Sequence, residues 1–294
     1  MYFIYTKRII STKMALVLDE IGYWSEIKHE IVEKYALAYS TVFSSPKYQY
    51  LRHVYIDAFA GPGIHISKTT KGQVRGSPQI ALDIKPPFKE YYFIDTDGDK
   101  VNALKRIISN YPKLNVHIIQ DDCNSALLKQ VFPQVQHSDY KRGLCLLDPY
   151  GLNLKWEVIE TAGKMGTIEI FLNFPVMDMR RNVLLSNPKE ATVENIKRMD
   201  AFWGDHSWNN IAYIQMQDLF GDIVDLKQKN IKLVTSAFRE RLLEVAKFQY
   251  VPEPIPMRNT KRGILYFIFF ASNNKTGNKI LTEIFNKYRD RGMK

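Results

Sequence analysis

The stretch HVYIDAFAGPG, from His53 to Gly63, is the first of a series of strand-to-turn units along the chain. A short β-prone run ends at Asp57 and passes through small residues into a glycine–proline–glycine turn. Small residues after a strand let a ligand approach bare backbone, because any Cβ would fill that space. A tight turn with no ligand accounts for the same residues. The spacing is not GxGxxG and no Walker lysine follows, which argues against NAD and ATP sites.

The pattern repeats outward from this point. Upstream, Ile27, Ile31, Tyr35 and Ala38 recur at helical spacing between Ser25, a candidate N-cap, and Phe43. Downstream, a helix is expected after Ser77-Pro78, since proline is tolerated in a first helical turn. YYFIDTD reads as a strand, VNALKRIISNY as an amphipathic helix, and NVHIIQDD, GLCLLDPYG and TIEIFLNFP as three further strands. FQYVPEP and ILYFIFFASN read as two late strands, followed by a helix from about Asn278. Strands separated by helices predict an α/β fold with a doubly wound, Rossmann-like, mostly parallel sheet. The two late strands lack an intervening helix and are expected to pair antiparallel at one edge.

The expected organisation has three parts. Residues 1–24 form an N-terminal extension, in which Met14 is a second candidate start. Residues 25–177 and 231–294 form the Rossmann-like domain. Residues 178–230, which are polar, strand-free and carry Trp203 and Trp208, form an inserted helical lobe; a crossover of extra length is the alternative.

Composition sets outer bounds. Of 294 residues, 41 are Lys or Arg and 31 are Asp or Glu, giving a formal charge of +10. With 45% hydrophobic and 24% charged residues, the chain is globular rather than disordered. The basic excess is spread along the chain, so it permits a nucleic-acid partner without requiring one. Cys123 and Cys145 are too few for a disulfide framework or a cysteine zinc site, and the histidines show no metal spacing. No HExxH, Ser-His-Asp or Cys-His arrangement stands out, so a hydrolase is disfavoured. No apolar run approaches the roughly 18 residues of a membrane span, and Lys7, Arg8 and Lys13 interrupt the opening apolar stretch. A soluble, cytoplasmic protein without membrane partners is expected.

The chemistry concentrates where strands end, because open α/β sheets bind ligands at the carboxyl ends of their strands. Asp57 ends the first strand and Asp95 the second, where a carboxylate can accept from both hydroxyls of a ribose. Asp97 sits nearby as an Asx cap. Asp122, at the third end, can accept from an adenine amino group; each of these acids can instead cap a helix. The fourth end is Asp148-Pro149-Tyr150-Gly151. There the Asp148 carboxylate and the Pro149 carbonyl can hold an exocyclic amine while an aromatic stacks on a flipped base. A turn beginning with Asp is the alternative.

The segments WSEIKHEIVEKY, YIDAFAGPG, RGSPQIAL, FIDTD, LLDPYG, FLNFP, RRN, FWG and LYFIFFAS resemble, in this order, the three-Cys-motif partner protein family. The resemblance runs from about Trp24 to the C-terminus. It implies a class I methyltransferase-like fold and a radical-SAM-like protein with three cysteine motifs as partner. A more distant similarity is to ribosomal RNA adenine methyltransferases that use S-adenosylmethionine. That likeness implies that Lys28, His29, Asp57, Phe59, Gly61, Gly63, Ser77, Asp95 and Asp122 surround the cofactor and that Asp148 holds the target amine. One departure is that amino-methyltransferases usually read DPPY or NPPF, whereas this chain reads DPYG. The stacking role can therefore fall to Tyr150, Phe59, Phe174 or a tryptophan of the lobe. Asn173-Phe174-Pro175 imitates part of the same pattern and ranks second, and Arg180 and Arg181 after it can contact phosphate.

Overall fold

The computed structural model describes residues 20–217, 223–228, 230–259 and 261–289. Its elements begin with β1 (Glu20–Ile21), α1 (Tyr23–Phe43), β2 (Arg52–Asp57), β3 (Ile64–Ser67), β4 (Gln73–Arg75) and α2 (Ser77–Asp83). There follow β5 (Glu90–Asp95), α3 (Gly98–Ile108), β6 (Val116–Gln120), α4 (Cys123–Ala126), β7 (Lys141–Leu147), α5 (Trp156–Met165) and β8 (Ile168–Phe174). The chain continues through α6 (Val176–Asn182), α7 (Val193–Trp203), α8 (Trp208–Ala212), β9 (Tyr213–Gln217), β10 (Ile223–Lys227) and α9 (Ile231–Glu244). It closes with β11 (Ile255–Arg258), β12 (Ile264–Ala271) and α10 (Lys275–Tyr288).

The apolar strand runs assemble a seven-stranded sheet in the order β11-β12-β8-β7-β2-β5-β6. From β8 to β6 every neighbour pair is parallel, while β12 runs antiparallel to both β8 and β11. Parallel strands covered on both faces read as continuous apolar runs, and their side chains divide between two cores. Tyr55, Tyr91, Phe93, Leu144, Leu146 and Phe171 pack beneath α1, α2 and α10. Val54, Ile56, Ile94, Cys145, Leu147 and Ile170 face the other way, into the core shared with α5, α7 and α9. The sheet is therefore doubly wound, as the sequence predicts. The strand order reverses between β2 and its two neighbours, so the carboxyl ends of β2, β5 and β7 flank the switch point where such sheets bind ligands.

The structure corrects several local expectations. The N-cap of α1 is Gly22, not Ser25. The run after the Gly61-Pro62-Gly63 turn forms the hairpin β3–β4, and β1 joins β3 in parallel to make a small second sheet. Hence Glu20 to Trp24 belong to folded structure, while residues 1–19 of the expected extension, Met14 among them, lie outside the described residues. FQYVPEP contributes only a bridge at Tyr250, and the strand itself starts at Ile255. Residues 178–230 are not strand-free, because β9 and β10 pair there as an antiparallel ribbon with Leu226 opposite Ile214. The segment's polarity hid these two short strands.

Candidate functional site

Seven residues of the β2 strand end and turn set the floor of the site. Asp57 is fully buried, and its Oδ1 accepts the Phe59 N–H at 3.2 Å while Oδ2 has no hydrogen-bond partner. Burial lifts this carboxyl to about 7, against the pull of the nearby Ser77 hydroxyl and the Phe59 N–H. Gly61 takes φ +63° and Gly63 φ +81°, the left-handed region that favours glycine. A Cβ on Gly63 would stand 2.7 Å from Ile107 of α3, and one on Gly76 would stand 2.9 Å from the Gly63 carbonyl. The turn is thus pressed against both the hairpin and α3, which leaves bare backbone at Gly61 facing the cavity.

That cavity has a volume of about 850 Å³ and is shared by the strand ends of β2, β5, β6, β7 and β8. Of the residues singled out in the sequence, Lys28, His29, Phe59, Gly61, Ser77, Asp95, Asp122, Asp148, Pro149 and Tyr150 line it. Asp57 and Gly63 do not; they support the wall from beneath. The volume lies within the range of ligand and cofactor sites, roughly 300–1,000 Å³.

Each acid is fixed by backbone. Asp95 accepts the Gly61 N–H at 2.8 Å with Oδ2 and the Asp97 N–H at 2.9 Å with Oδ1, which ties the β5 end to the glycine turn. Each carboxylate oxygen keeps a second lone pair for a ligand. Asp97 caps α3 by accepting from Asp99 and Lys100 N–H groups, as the Asx reading has it. Asp122 caps α4 through the Ser125 N–H at 3.1 Å and also accepts from Asn124.

Asp148 sits at the centre of the charge network. Its Oδ2 is ion-paired with the ammonium of Lys28, which reaches across from α1, and its Oδ1 accepts from Asn173 Nδ2 at 2.8 Å. Burial opposes its charge, yet Lys28 and Asn173 hold the carboxyl below its ordinary value, so it is ionised. His29, next in sequence, is lowered to about 3 by burial and by the Lys28 charge, and it stands neutral, stacked on His65 at 6.0 Å. The following loop is braced from α6. Asp178 accepts the Leu152 N–H at 2.8 Å and an Arg198 N–H at 3.0 Å, and a Cβ on Gly151 would fall 2.2 Å from Asp178 Oδ2. Gly151 is therefore required after Tyr150, and Tyr150 is left 78% exposed at the cavity rim.

The placement separates the aromatic candidates. Phe174, Trp203 and Trp208 are buried in the core, where Phe174 packs against Phe202, Phe238 and Phe269. None of the three can stack on a ligand in this cavity. Tyr150 and Phe59 remain. The basic excess is not concentrated here either. The lining holds five aspartates (Asp95, Asp97, Asp121, Asp122, Asp148) against three lysines (Lys28, Lys100, Lys155), and Arg180 opens onto a different cavity. Sequence reasoning did not find Asn124, which donates to the Asn153 carbonyl at 3.0 Å and accepts the Lys155 N–H at 2.7 Å, holding the Tyr150 loop to α4. It also missed Tyr266 of β12, whose ring lies 5.7 Å from the Lys28 ammonium. No pattern around either residue marks it, since both act through contacts distant in sequence.

A pH dependence follows from the buried acids. Asp57 and Glu169, the latter bonded to the Tyr35 hydroxyl beneath α1, are both raised by burial to about 7 from 3.8 and 4.5. Their folded-state values exceed the unfolded ones, so their contribution is full below about pH 4 and is lost as pH rises through about 7. Asp57→Asn is expected to make that decline shallower, as measured by denaturant unfolding at a series of pH values.

No family model matches the chain, and no curated protein matches it. Among solved structures, protein LPL1258 from Legionella pneumophila, a DUF519 protein, is similar over 92% of this chain and 94% of its own, with a TM-score of 0.52 and 15% identity. That likeness is one of fold. An S-adenosylmethionine-dependent methyltransferase from Clostridium acetobutylicum covers 82% of this chain and 91% of its own (TM-score 0.39, 9% identity). An rRNA methylase from Streptococcus thermophilus covers 84% and 95% (TM-score 0.35, 11% identity). The chain has the Rossmann-like α/β fold that the sequence predicts. Among the described residues no helix is long and apolar enough to cross a membrane, and no group of His, Cys, Asp or Glu is arranged to hold a metal.

Proposed function

We propose that this protein is a methyltransferase that uses S-adenosylmethionine and acts on an exocyclic amino group of a nucleic-acid base. The observation that carries this reading is the convergence of Asp95, Asp122 and Asp148, from three strand ends around the switch point, on one cavity beside a glycine turn. The bound cofactor would supply an electrophilic methyl group on sulfur. Asp95 would accept from its ribose hydroxyls and Asp122 from its adenine amino group. The bare backbone at Gly61 and the side chains of Lys28, neutral His29, Phe59 and Ser77 complete the wall, with Asp57 and Gly63 in support.

Asp148 and the Pro149 carbonyl would hold the hydrogens of the target amine. Lys28 keeps Asp148 ionised, and an ionised acceptor stabilises the positive charge that grows on the amine nitrogen as it is methylated. Tyr150, exposed at the rim, would stack on the extruded base. Tyr150→Ala is expected to weaken binding of a single-stranded oligonucleotide about 10-fold, in line with a stacking contribution of roughly 1–3 kcal/mol per base. Its thermal stability should stay close to that of the wild type; fluorescence anisotropy and a melting curve check both. Transfer of labelled methyl to DNA or RNA tests the reading, and transfer to protein alone would remove the nucleic-acid target.

A second reading comes from the resemblance to three-Cys-motif partner proteins, in which the chain is a non-catalytic cofactor-binding or docking partner of a radical-SAM-like protein. Residues 178–230 would then be the inserted docking unit on the domain formed by 25–177 and 231–294. The exposed Ile214, Met216 and Leu226, on one face of the β9–β10 ribbon, favour it. Co-purification with such a partner, without methyl transfer by either protein or the complex, would select this reading.

A further inference from the structure

A second cavity of about 420 Å³ lies between α6, the β9–β10 ribbon and the start of α9. Its described lining is mixed in character. Leu184, Ala212, Leu226, Ile231 and Val234 are apolar, Arg180 and Lys227 bring two cations, and Ser186 and Gln228 are neutral polar groups. Among the described residues no carboxylate lines it. Lys227 donates to the Leu184 carbonyl, and Arg180 has no ion pair among the described residues. Two like charges brought together cost free energy, and an anion would offset that cost. The strain is visible at Lys227, whose ammonium is pushed below its ordinary range by burial and by the Arg180 guanidinium. The amino end of the 14-residue α9 opens on the same cavity at Ile231 and adds partial positive charge.

We propose that this cavity binds the phosphate group of a nucleotide, with Arg180 and Lys227 on the phosphate and the apolar residues against the attached nucleoside. This inference extends the proposed nucleic-acid target and rests on that reading only for the source of the phosphate. Arg180 lies on α6, which leaves directly from the β8 end that carries Asn173 into the first cavity.

The test is equilibrium binding of a fluorescent single-stranded RNA across a salt series, without methyl donor, alongside calorimetry with adenosine monophosphate and with inorganic phosphate. Arg180→Gln and Lys227→Gln are each expected to weaken RNA binding equally across sequences and to lower the slope of log affinity against log salt by about 1. Lys279→Gln, on α10 and in the lining of neither cavity, should leave both unchanged. Loss of adenosine monophosphate or phosphate binding in Arg180→Gln, with an unchanged RNA slope, would support the phosphate site and make a free nucleotide its occupant. Wild-type affinity and slope for every probe in both variants would overturn the proposal. If Lys227→Gln fails to fold, the exposed Arg180→Gln decides alone. Absence of methyl-donor binding would defeat the methyltransferase reading and leave this result standing.

Discussion

Asp148→Ala is expected to reduce methyl transfer by about 10²–10³-fold, the cost of losing one preorganised partner of a charge that develops during reaction, while cofactor binding persists. Its second effect is on stability. Lys28 has a side chain only 8% exposed, and without Asp148 its ammonium has lost its charge partner. Stranding a buried charge costs about 3 kcal/mol, the lower end of the usual range, because Asp148 itself is a quarter exposed. Adding Lys28→Met removes the stranded charge and should recover most of that stability without recovering transfer. Chemical denaturation and a labelled-methyl assay on the single and double variants separate the two effects. If the double variant stays as unstable as the single one, the ion pair is not the source of the loss. If Asp148→Ala retains turnover, the amine is held elsewhere.

Asp95→Ala is expected to weaken binding of S-adenosylmethionine and its demethylated product about 100-fold. Two hydrogen bonds from ribose hydroxyls to a charged acceptor are worth about 3 kcal/mol together, and each 1.4 kcal/mol is a factor of ten. The variant also strands the Gly61 and Asp97 N–H groups, so part of the loss would come from a loosened glycine turn. Asp97→Ala provides the contrast. Its side chain accepts from the α3 N-terminus, so it should cost about 1 kcal/mol of stability and far less affinity. Calorimetric titration of both variants reads the difference. Equal losses would show that the ribose is not on Asp95.

The parts of the fold legible in the sequence were those with a strong local signal. GLCLL and TIEIFLN are long apolar runs that only a strand buried on both faces explains, and their acidic or polar ends fall on the same edge once the strands lie parallel. Asp57, Asp95 and Asp148 are each the first acid after their strand run and Asp122 is the second, and the parallel order of β7, β2, β5 and β6 brings these four ends to one edge of the sheet. Short polar strands carried no such signal. Ile64–Ser67 and Gln73–Arg75 flank a KTTKG turn, and their pairing with Glu20–Ile21 depends on a contact across more than forty residues. The β9–β10 ribbon is equally short and mixed in polarity.

Contacts between distant segments were the other blind spot. Nothing local to Lys28 shows that its ammonium meets a carboxylate 120 residues away, or that its neighbour His29 is held neutral by burial and by that charge. Phe174 and the two tryptophans look available in sequence, but tertiary packing consumes them. Gly151 explains the departure from DPPY after the fact. Its backbone lies so close to Asp178 that no side chain fits, and the tyrosine is carried to the rim as a result.

The proposed methyltransferase function requires that the cavity at the ends of β2, β5 and β7 bind S-adenosylmethionine. Calorimetric titration of the pure protein with S-adenosylhomocysteine, the demethylated product, tests it most directly. One-to-one saturable binding, weakened about 100-fold by Asp95→Ala and retained in Asp148→Ala, is the expected result. No binding heat with ligand at millimolar levels would contradict it.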